Sequence, residues 1–250
     1  MKKVLSILLA VAMLVSLTAC ASSGNFDKKW IIVTETYFKP FEYYNEQNEF
    51  VGIDVDILAA VAEDQGFNYE LNPLGWDAGV TACKEGLADG IIAAASVTPE
   101  RTEEGWIFSD SYYDAALVFA VPEDSAIASY EDLAGLNVAV KKGTVSEEFA
   151  NSLKDEYGFT ISVFDDSPSV FQDVVLGNSA ACIEDEPIMT ASIRDGLTLK
   201  IVDGMSSEPA PYAFAVLDKS NRKLVEMFNK GLANIKENGT YQEILDKYLK

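Results

Sequence analysis

Gly90-Ile91-Ile92-Ala93-Ala94-Ala95-Ser96-Val97-Thr98-Pro99-Glu100-Arg101 passes from an apolar run to a helix start within one short stretch. The run over residues 90–94 has the length of a strand. Thr98 then offers an N-cap hydroxyl, and Pro99 stands at the first helical position, where its missing N–H removes nothing. A strand that feeds a helix in this way is the repeating unit of an α/β fold.

The alternation extends in both directions. Upstream, residues 30–34 and 67–71 read as strands, residues 54–65 as a helix closed by Gly66, and residues 78–87 as another helix. Downstream, residues 137–140, 160–164, 180–183 and 199–202 read as strands with helices between them. Residues 221–236 form a long final helix, broken at Asn238-Gly239 before a short terminal one. Thr144-Val145-Ser146-Glu147 and Thr240-Tyr241-Gln242-Glu243 have the spacing of capping boxes. No linker separates the two halves. Residues 115–121 and 212–217 are therefore expected to cross between two lobes as strands.

The N-terminus sets the compartment. Met1-Lys2-Lys3 is positive, residues 4–17 are apolar apart from Ser6 and Ser16, and Leu17-Thr18-Ala19-Cys20 follows. That order of charge, apolar stretch and small residues is a secretory signal peptide, short of the ~20 residues of a membrane span. The four residues ending at Cys20 look like a lipobox, in which Cys20 is lipidated and becomes the new N-terminus. A leader over residues 1–19 and a lipidated cysteine with its tether over 20–29 are thus expected, with a folded part from residue 30. The product belongs on the extracytoplasmic face of the cell membrane, or in the periplasm of a diderm, held through the lipid on Cys20.

Composition removes several function classes. Loss of Lys2 and Lys3 leaves 17 basic against 40 acidic residues, a net charge of −23. Such a surface repels nucleic acid, so none is expected as a partner. The 231 residues from Cys20 onward exceed the ~150-residue prior for one domain, which suggests one large unit or two lobes. With 48% apolar residues the chain is not disordered. It contains no histidine, so the usual general base and the commonest metal ligand are missing and a Ser-His-Asp mechanism is excluded. No metal or other cofactor is expected. Cys83 and Cys182 read as two buried free thiols.

Five motifs then occur in order: Lys39-Pro40-Phe41-Glu42-Tyr43, Gly52-Ile53-Asp54-Val55-Asp56-Ile57, Ala88-Asp89-Gly90-Ile91-Ile92, Ser96 to Arg101 followed by Phe108-Ser109-Asp110, and Glu237-Asn238-Gly239-Thr240-Tyr241. Together they resemble the signatures of the family 3 extracellular solute-binding proteins of amino-acid ABC transporters, from about residue 30 to the C-terminus. The resemblance implies an α/β, two-lobed periplasmic-binding-protein-like fold of type II, with a ligand cleft at the hinge. Lobe one would comprise residues 30–114 and 212–250, interrupted by lobe two over 115–211. A monomer is implied, handing its ligand to a permease and so indirectly to an ATPase subunit. The chain itself has no Gly-x-x-x-x-Gly-Lys phosphate loop.

The chemistry of a free amino acid can be matched to named residues. Its carboxylate asks for a fixed guanidinium, and Arg101 occupies the family's position for that role. Backbone amides near Ser96 and Thr98 add anion-binding donors at a helix start. Taken alone, Arg101 beside Glu100, Glu103 and Glu104 reads as a solvated helix arginine. The ammonium asks for a carboxylate, and Asp185 matches the family's residue, although aspartate before Glu186-Pro187 is also an ordinary N-cap. By resemblance, Phe38 and Trp76 wall the ligand's carbon chain, Gly143-Thr144 supplies donors from lobe two, and Glu35 and Lys141 contact the ligand side chain. Ala93-Ala94-Ala95 stands where many relatives carry small hydroxyl or glycine residues, so Ala94 joins the site without a side-chain hydrogen bond.

One carboxylate and one ammonium in the side-chain subsite favour a neutral polar group, so a glutamine-like ligand comes first. Glu184 beside Asp185 tilts the balance back toward a cation, which places arginine, lysine or cystine next. Reversible capture without catalysis is the leading reading. Two others stay open. One is an enzyme on the same fold, such as a dehydratase of cyclic carboxylic acids using Glu184, Glu35 or Lys141 as acid–base group. The other is a lipoprotein that senses its ligand.

Overall fold

The computed structural model describes residues 28–250. The expected leader and the lipidation at Cys20 lie outside the described residues.

The first lobe is built on strand β1 (Lys29–Thr34). A small hairpin of β2 (Tyr43–Tyr44) and β3 (Phe50–Val51) leads through helix α1 (Ile53–Gln65) to β4 (Asn68–Pro73), which lies parallel to β1. Helix α2 (Trp76–Lys84) returns the chain to β5 (Gly90–Ile91) on the other side of β1. Helix α3 (Pro99–Glu103) and β6 (Ile107–Phe108) follow, and β7 (Tyr113–Ala115) leaves the lobe.

The second sheet contains β8 (Leu117–Pro122), β9 (Asn137–Lys141), β10 (Thr160–Phe164), β11 (Ala181–Asp185) and β12 (Leu199–Ser206), in the order β10-β9-β11-β8-β12. Helices α4 (Val145–Tyr157), α5 (Ser167–Val175) and α6 (Glu186–Arg194) connect them. The chain returns through β13 (Ala210–Tyr212), antiparallel to β7, and β14 (Ala215–Val216) slots between β5 and β6. The first sheet therefore reads β4-β1-β5-β14-β6. Helices α7 (Arg222–Glu237) and α8 (Thr240–Leu249) close the first lobe.

Sequence explains the packing. In α7 the buried residues Leu224, Val225, Phe228, Leu232 and Ile235 recur with helical spacing, so one stripe of the helix faces the core. Gly231 lies in that stripe, and a Cβ there would stand 2.8 Å from Val61 Cγ1; glycine lets α7 approach α1 closely. Gly52 before α1 has φ +145°, and a Cβ on it would fall 2.0 Å from the Phe41 carbonyl oxygen.

Several local expectations are corrected. Helix α2 begins at Trp76, two residues before the expected start, because the Glu35 carboxylate accepts the Trp76 N–H (3.1 Å) and caps the helix from outside. The strand expected over residues 90–94 stops at Ile91, and Ala94 takes a left-handed φ of +45°. Neither expected capping box forms. The Thr144 hydroxyl donates to the Lys141 carbonyl (2.7 Å) while Glu147 accepts from the Gly143 N–H (2.7 Å). Gly239 is the N-cap of α8, with Thr240 inside the helix. A capping box does form at Ser129 and Asp132, ahead of a short 3-10 turn. The crossing between lobes is made by the β7–β13 ribbon; most of the stretch expected to cross over residues 115–121 is β8, inside the second sheet. Cys83 and Cys182 are free and buried as expected.

Behind the hinge lies a buried acidic pair. Glu42 and Asp54 are both fully buried. Asp54 Oδ2 accepts the Ala94 N–H (2.7 Å) and the Tyr112 hydroxyl (2.9 Å). No donor among the described residues reaches Asp54 Oδ1 or either Glu42 oxygen. The two carboxyls interact with each other, and a proton shared between them would pair one oxygen of each. Burial raises Asp54 to about 7 and Glu42 well above its ordinary value, where repulsion from Asp54 adds to the effect. The folded state therefore holds protons that the unfolded chain has lost above about pH 4, and stability falls as pH rises from there through Asp54's range. Thermal unfolding should show a melting temperature at least ~5 °C higher near pH 5 than near pH 8. A flat profile would mean the pair stays ionised.

Candidate functional site

Both sheets turn the carboxyl ends of their parallel strands toward one cleft, where ligands bind in open α/β sheets. Glu35 follows β1, Trp76 follows β4, Ala93 to Ser96 follow β5, Lys141 ends β9, and Glu184 and Asp185 end β11. All nine residues expected in the site line this cleft: Glu35, Phe38, Trp76, Ala94, Ser96, Arg101, Lys141, Thr144 and Asp185. Ala93, Val145 and Glu184 complete the wall, around a cavity of about 30 Å³.

Arg101 is not a solvated helix residue; it is 6% exposed. Thr98 Oγ1 accepts its backbone N–H (3.2 Å), and its Nη1 donates to the Ser96 carbonyl (2.8 Å). The guanidinium lies 4.7 Å from the Trp76 ring centroid and 5.3 Å from that of Trp106. Desolvation pulls its pKa down, opposed by Glu148 and Asp185, but a guanidinium keeps its proton in proteins. Its remaining donors form a fixed fork suited to a carboxylate.

Asp185 does not cap α6 with its side chain. Its Oδ1 instead accepts the Tyr212 hydroxyl, so a residue of the returning ribbon orients it. Burial raises its pKa, with the Tyr212 hydrogen bond opposing. Lys141 and Glu35 form a hydrogen-bonded ion pair between the lobes, both side chains almost wholly buried. Glu35 Oε1 also accepts the Thr36 N–H (2.7 Å), and Lys141 Nζ sits 5.0 Å from the Phe38 ring centroid. Sequence reasoning gave no role to Trp106 or Tyr212. Tyr212 reaches Asp185 from a distant strand, whereas Trp106 follows Arg101 closely, its backbone N–H donating to the Arg101 carbonyl (3.0 Å); no local pattern marks either.

Further contacts lock the lobes together. Trp76 Nε1 donates to the Gly143 carbonyl (2.7 Å), and Lys142 pairs with Asp77 (2.8 Å). Trp76→Phe keeps most of the aromatic wall and removes only this donor. It should weaken ligand affinity about 5- to 10-fold, the equivalent of one hydrogen bond, mainly through faster dissociation. Stopped-flow release of ligand would read this; an unchanged off-rate would show that the bond does not hold the lobes shut.

Two α/β lobes clamping a buried, charged cleft, joined by a paired ribbon, define a hinged solute-binding protein. The chain belongs to the bacterial extracellular solute-binding proteins, family 3, whose model matches residues 30–250. It is 31% identical over 254 residues to the arginine-binding extracellular protein ArtP of Bacillus subtilis (strain 168), covering 99% of this chain and 98% of that protein. An ancestral arginine-binding protein solved with arginine superposes with a TM-score of 0.82 at 31% identity, covering 89% of this chain and 98% of that one. An ancestral arginine-binding protein bound to glutamine gives 0.80 at 32% identity, covering 88% of this chain and 97% of that one. Substrate-binding domain 2 of Lactococcus lactis GlnP, in its open conformation, is 36% identical but superposes at only 0.59, covering 88% and 94%. A more identical chain fits less well when two rigid lobes differ in their angle. The lobes described here meet across the cleft through the Trp76–Gly143, Lys141–Glu35 and Lys142–Asp77 contacts. No helix among the described residues is long and apolar enough to cross a membrane.

Proposed function

We propose that the protein captures a free polar amino acid outside the cytoplasm and delivers it to an ABC permease, anchored to the membrane through a lipid on Cys20. The observation that carries this reading is the cleft itself. Arg101 presents a buried fork for the α-carboxylate, Asp185 a buried carboxylate for the α-ammonium, and the two come from opposite lobes. A ligand bridging them favours the closed state by its differential affinity for it. In the subsite beyond, Lys141 and Glu35 neutralise each other, which favours a glutamine-like side chain; arginine, lysine or cystine come next. In this reading lobe one comprises residues 30–114 and 212–250, and lobe two residues 115–211.

The test is to unfold and refold the protein, removing carried ligand, and to measure its melting temperature against a panel of amino acids, cystine and cyclic carboxylates. A cognate ligand at ~1,000 times its dissociation constant stabilises by about 4 kcal/mol, an upshift of roughly 10 °C. An upshift with one or a few amino acids supports capture. A response to cyclic carboxylates alone would favour the dehydratase reading and call for a turnover assay.

A further inference from the structure

Five charged groups line the cleft: Arg101 and Lys141 against Glu35, Asp185 and Glu184. If the cleft binds an amino acid, as proposed above, Arg101 and Asp185 are committed to the ligand's carboxylate and ammonium. Lys141 is committed to Glu35. Glu184 is left without a cation of its own. It is 2% exposed; Oε1 accepts the Asp185 N–H (3.0 Å), and Oε2 has no partner among the described residues.

Its surroundings reinforce this. On its own strand stand Cys182 and the like-charged Asp185, and Val118 of β8 lies opposite it. From β9 comes Lys141, already paired; from α5 the Ser167 hydroxyl, close but outside hydrogen-bonding geometry; from β13 Tyr212, bonded to Asp185. An unpaired carboxylate in such a place is expelled from its charged form. Burial, followed by the Asp185 charge, raises Glu184 to about 8, so the side chain is a neutral acid at physiological pH.

We infer that Glu184 sets which side chains the cleft accepts: it keeps its proton and donates it to a neutral carbonyl-bearing side chain, and releases it to solvent when a cationic side chain enters. With a neutral side chain, all charges in the closed cleft balance and no proton moves. With a cationic one, the carboxyl becomes the counterion that Glu35, held by Lys141, does not provide. Neutral and cationic amino acids are then two alternative ligands of one site, distinguished by one proton.

Isothermal titration of the refolded protein tests this, with L-glutamine and L-arginine as probes near pH 7 in buffers of different ionisation enthalpy. Arginine binding should release about one proton and glutamine binding none. Release on binding means that arginine affinity rises with pH, about tenfold between pH 6 and pH 7, while glutamine affinity stays flat. In Glu184→Gln the proton release with arginine should vanish; if that variant fails to fold, the pH slopes of the wild-type protein decide. Equal proton counts for both ligands, parallel pH slopes, or release that persists in Glu184→Gln overturn the inference. Binding of glutamine without arginine also overturns it and leaves amino-acid capture standing. Binding of neither removes both.

Discussion

Replacing Arg101 with alanine is expected to abolish the ligand-induced rise in melting temperature, with affinity falling roughly 100- to 1,000-fold. The magnitude follows from what the substitution leaves behind. In the proposed binding mode the ligand's carboxylate would lose its hydration in a cleft walled by Trp76, with no cation to meet it. Removing one partner of a buried, hydrogen-bonded charge pair costs about 2–5 kcal/mol. Arg101→Lys separates charge from geometry. It restores the cation without the two-pronged fork, so affinity should recover only partly. The melting temperature without ligand, measured in parallel, shows that the variant is folded. Wild-type affinity in Arg101→Ala would exclude this arginine as the carboxylate anchor and reopen the choice of site.

Asp54→Ala is expected to have the largest effect on stability, about 3–5 kcal/mol, read as a fall of roughly 10 °C in melting temperature. The alanine leaves the Ala94 N–H and the Tyr112 hydroxyl buried without an acceptor. Ala94 holds its left-handed backbone through that bond, and Ala94 lines the cleft, so ligand affinity should fall along with stability. Asp54→Asn is the informative control. Its amide oxygen accepts the same two donors and its amide N–H groups face Glu42, so the melting temperature near pH 7 should stay within ~3 °C of wild type. The same variant should flatten the pH dependence of stability. A loss as large as that of the alanine variant would show that the negative charge, not the hydrogen bonds, matters at Asp54.

Much of this architecture was legible in the sequence, for reasons that differ from one element to the next. Helix α7 could be read because its apolar stripe is local and periodic, and α3 because Thr98-Pro99 is a complete start signal. The start of α2 could not, because its cap is a carboxylate from Glu35, far away in the chain. The capping boxes failed for local reasons: Thr144 spends its hydroxyl on the Lys141 carbonyl at the edge of the cleft, and Gly239 takes the N-cap position ahead of Thr240. In the site, Arg101, Asp185, Phe38 and Trp76 were reached through motif order, and the structure brings them to one cavity. Neither the hydroxyl that orients Asp185 nor the second tryptophan beside Arg101 had any local signature. The first is created where separate strands meet; the second is local, with Trp106 just beyond the end of α3 that carries Arg101, but in a loop with no pattern to mark it.

The placement of β14 has a consequence for the order in which the molecule can be made. The second sheet is assembled wholly from residues between Leu117 and Ser206. The first sheet needs Ala215 beside Ile91 and Phe108, and helix α1 needs α7 against it. A chain emerging N-terminus first therefore presents an unfinished first lobe, with β5 and β6 unjoined, for as long as the second takes to appear. Its last residues act as the keystone. A truncation that removes residues 215–250 should leave a folded second lobe attached to a protease-sensitive first one, and any chaperone that meets the chain during synthesis should engage the early segments rather than the late ones.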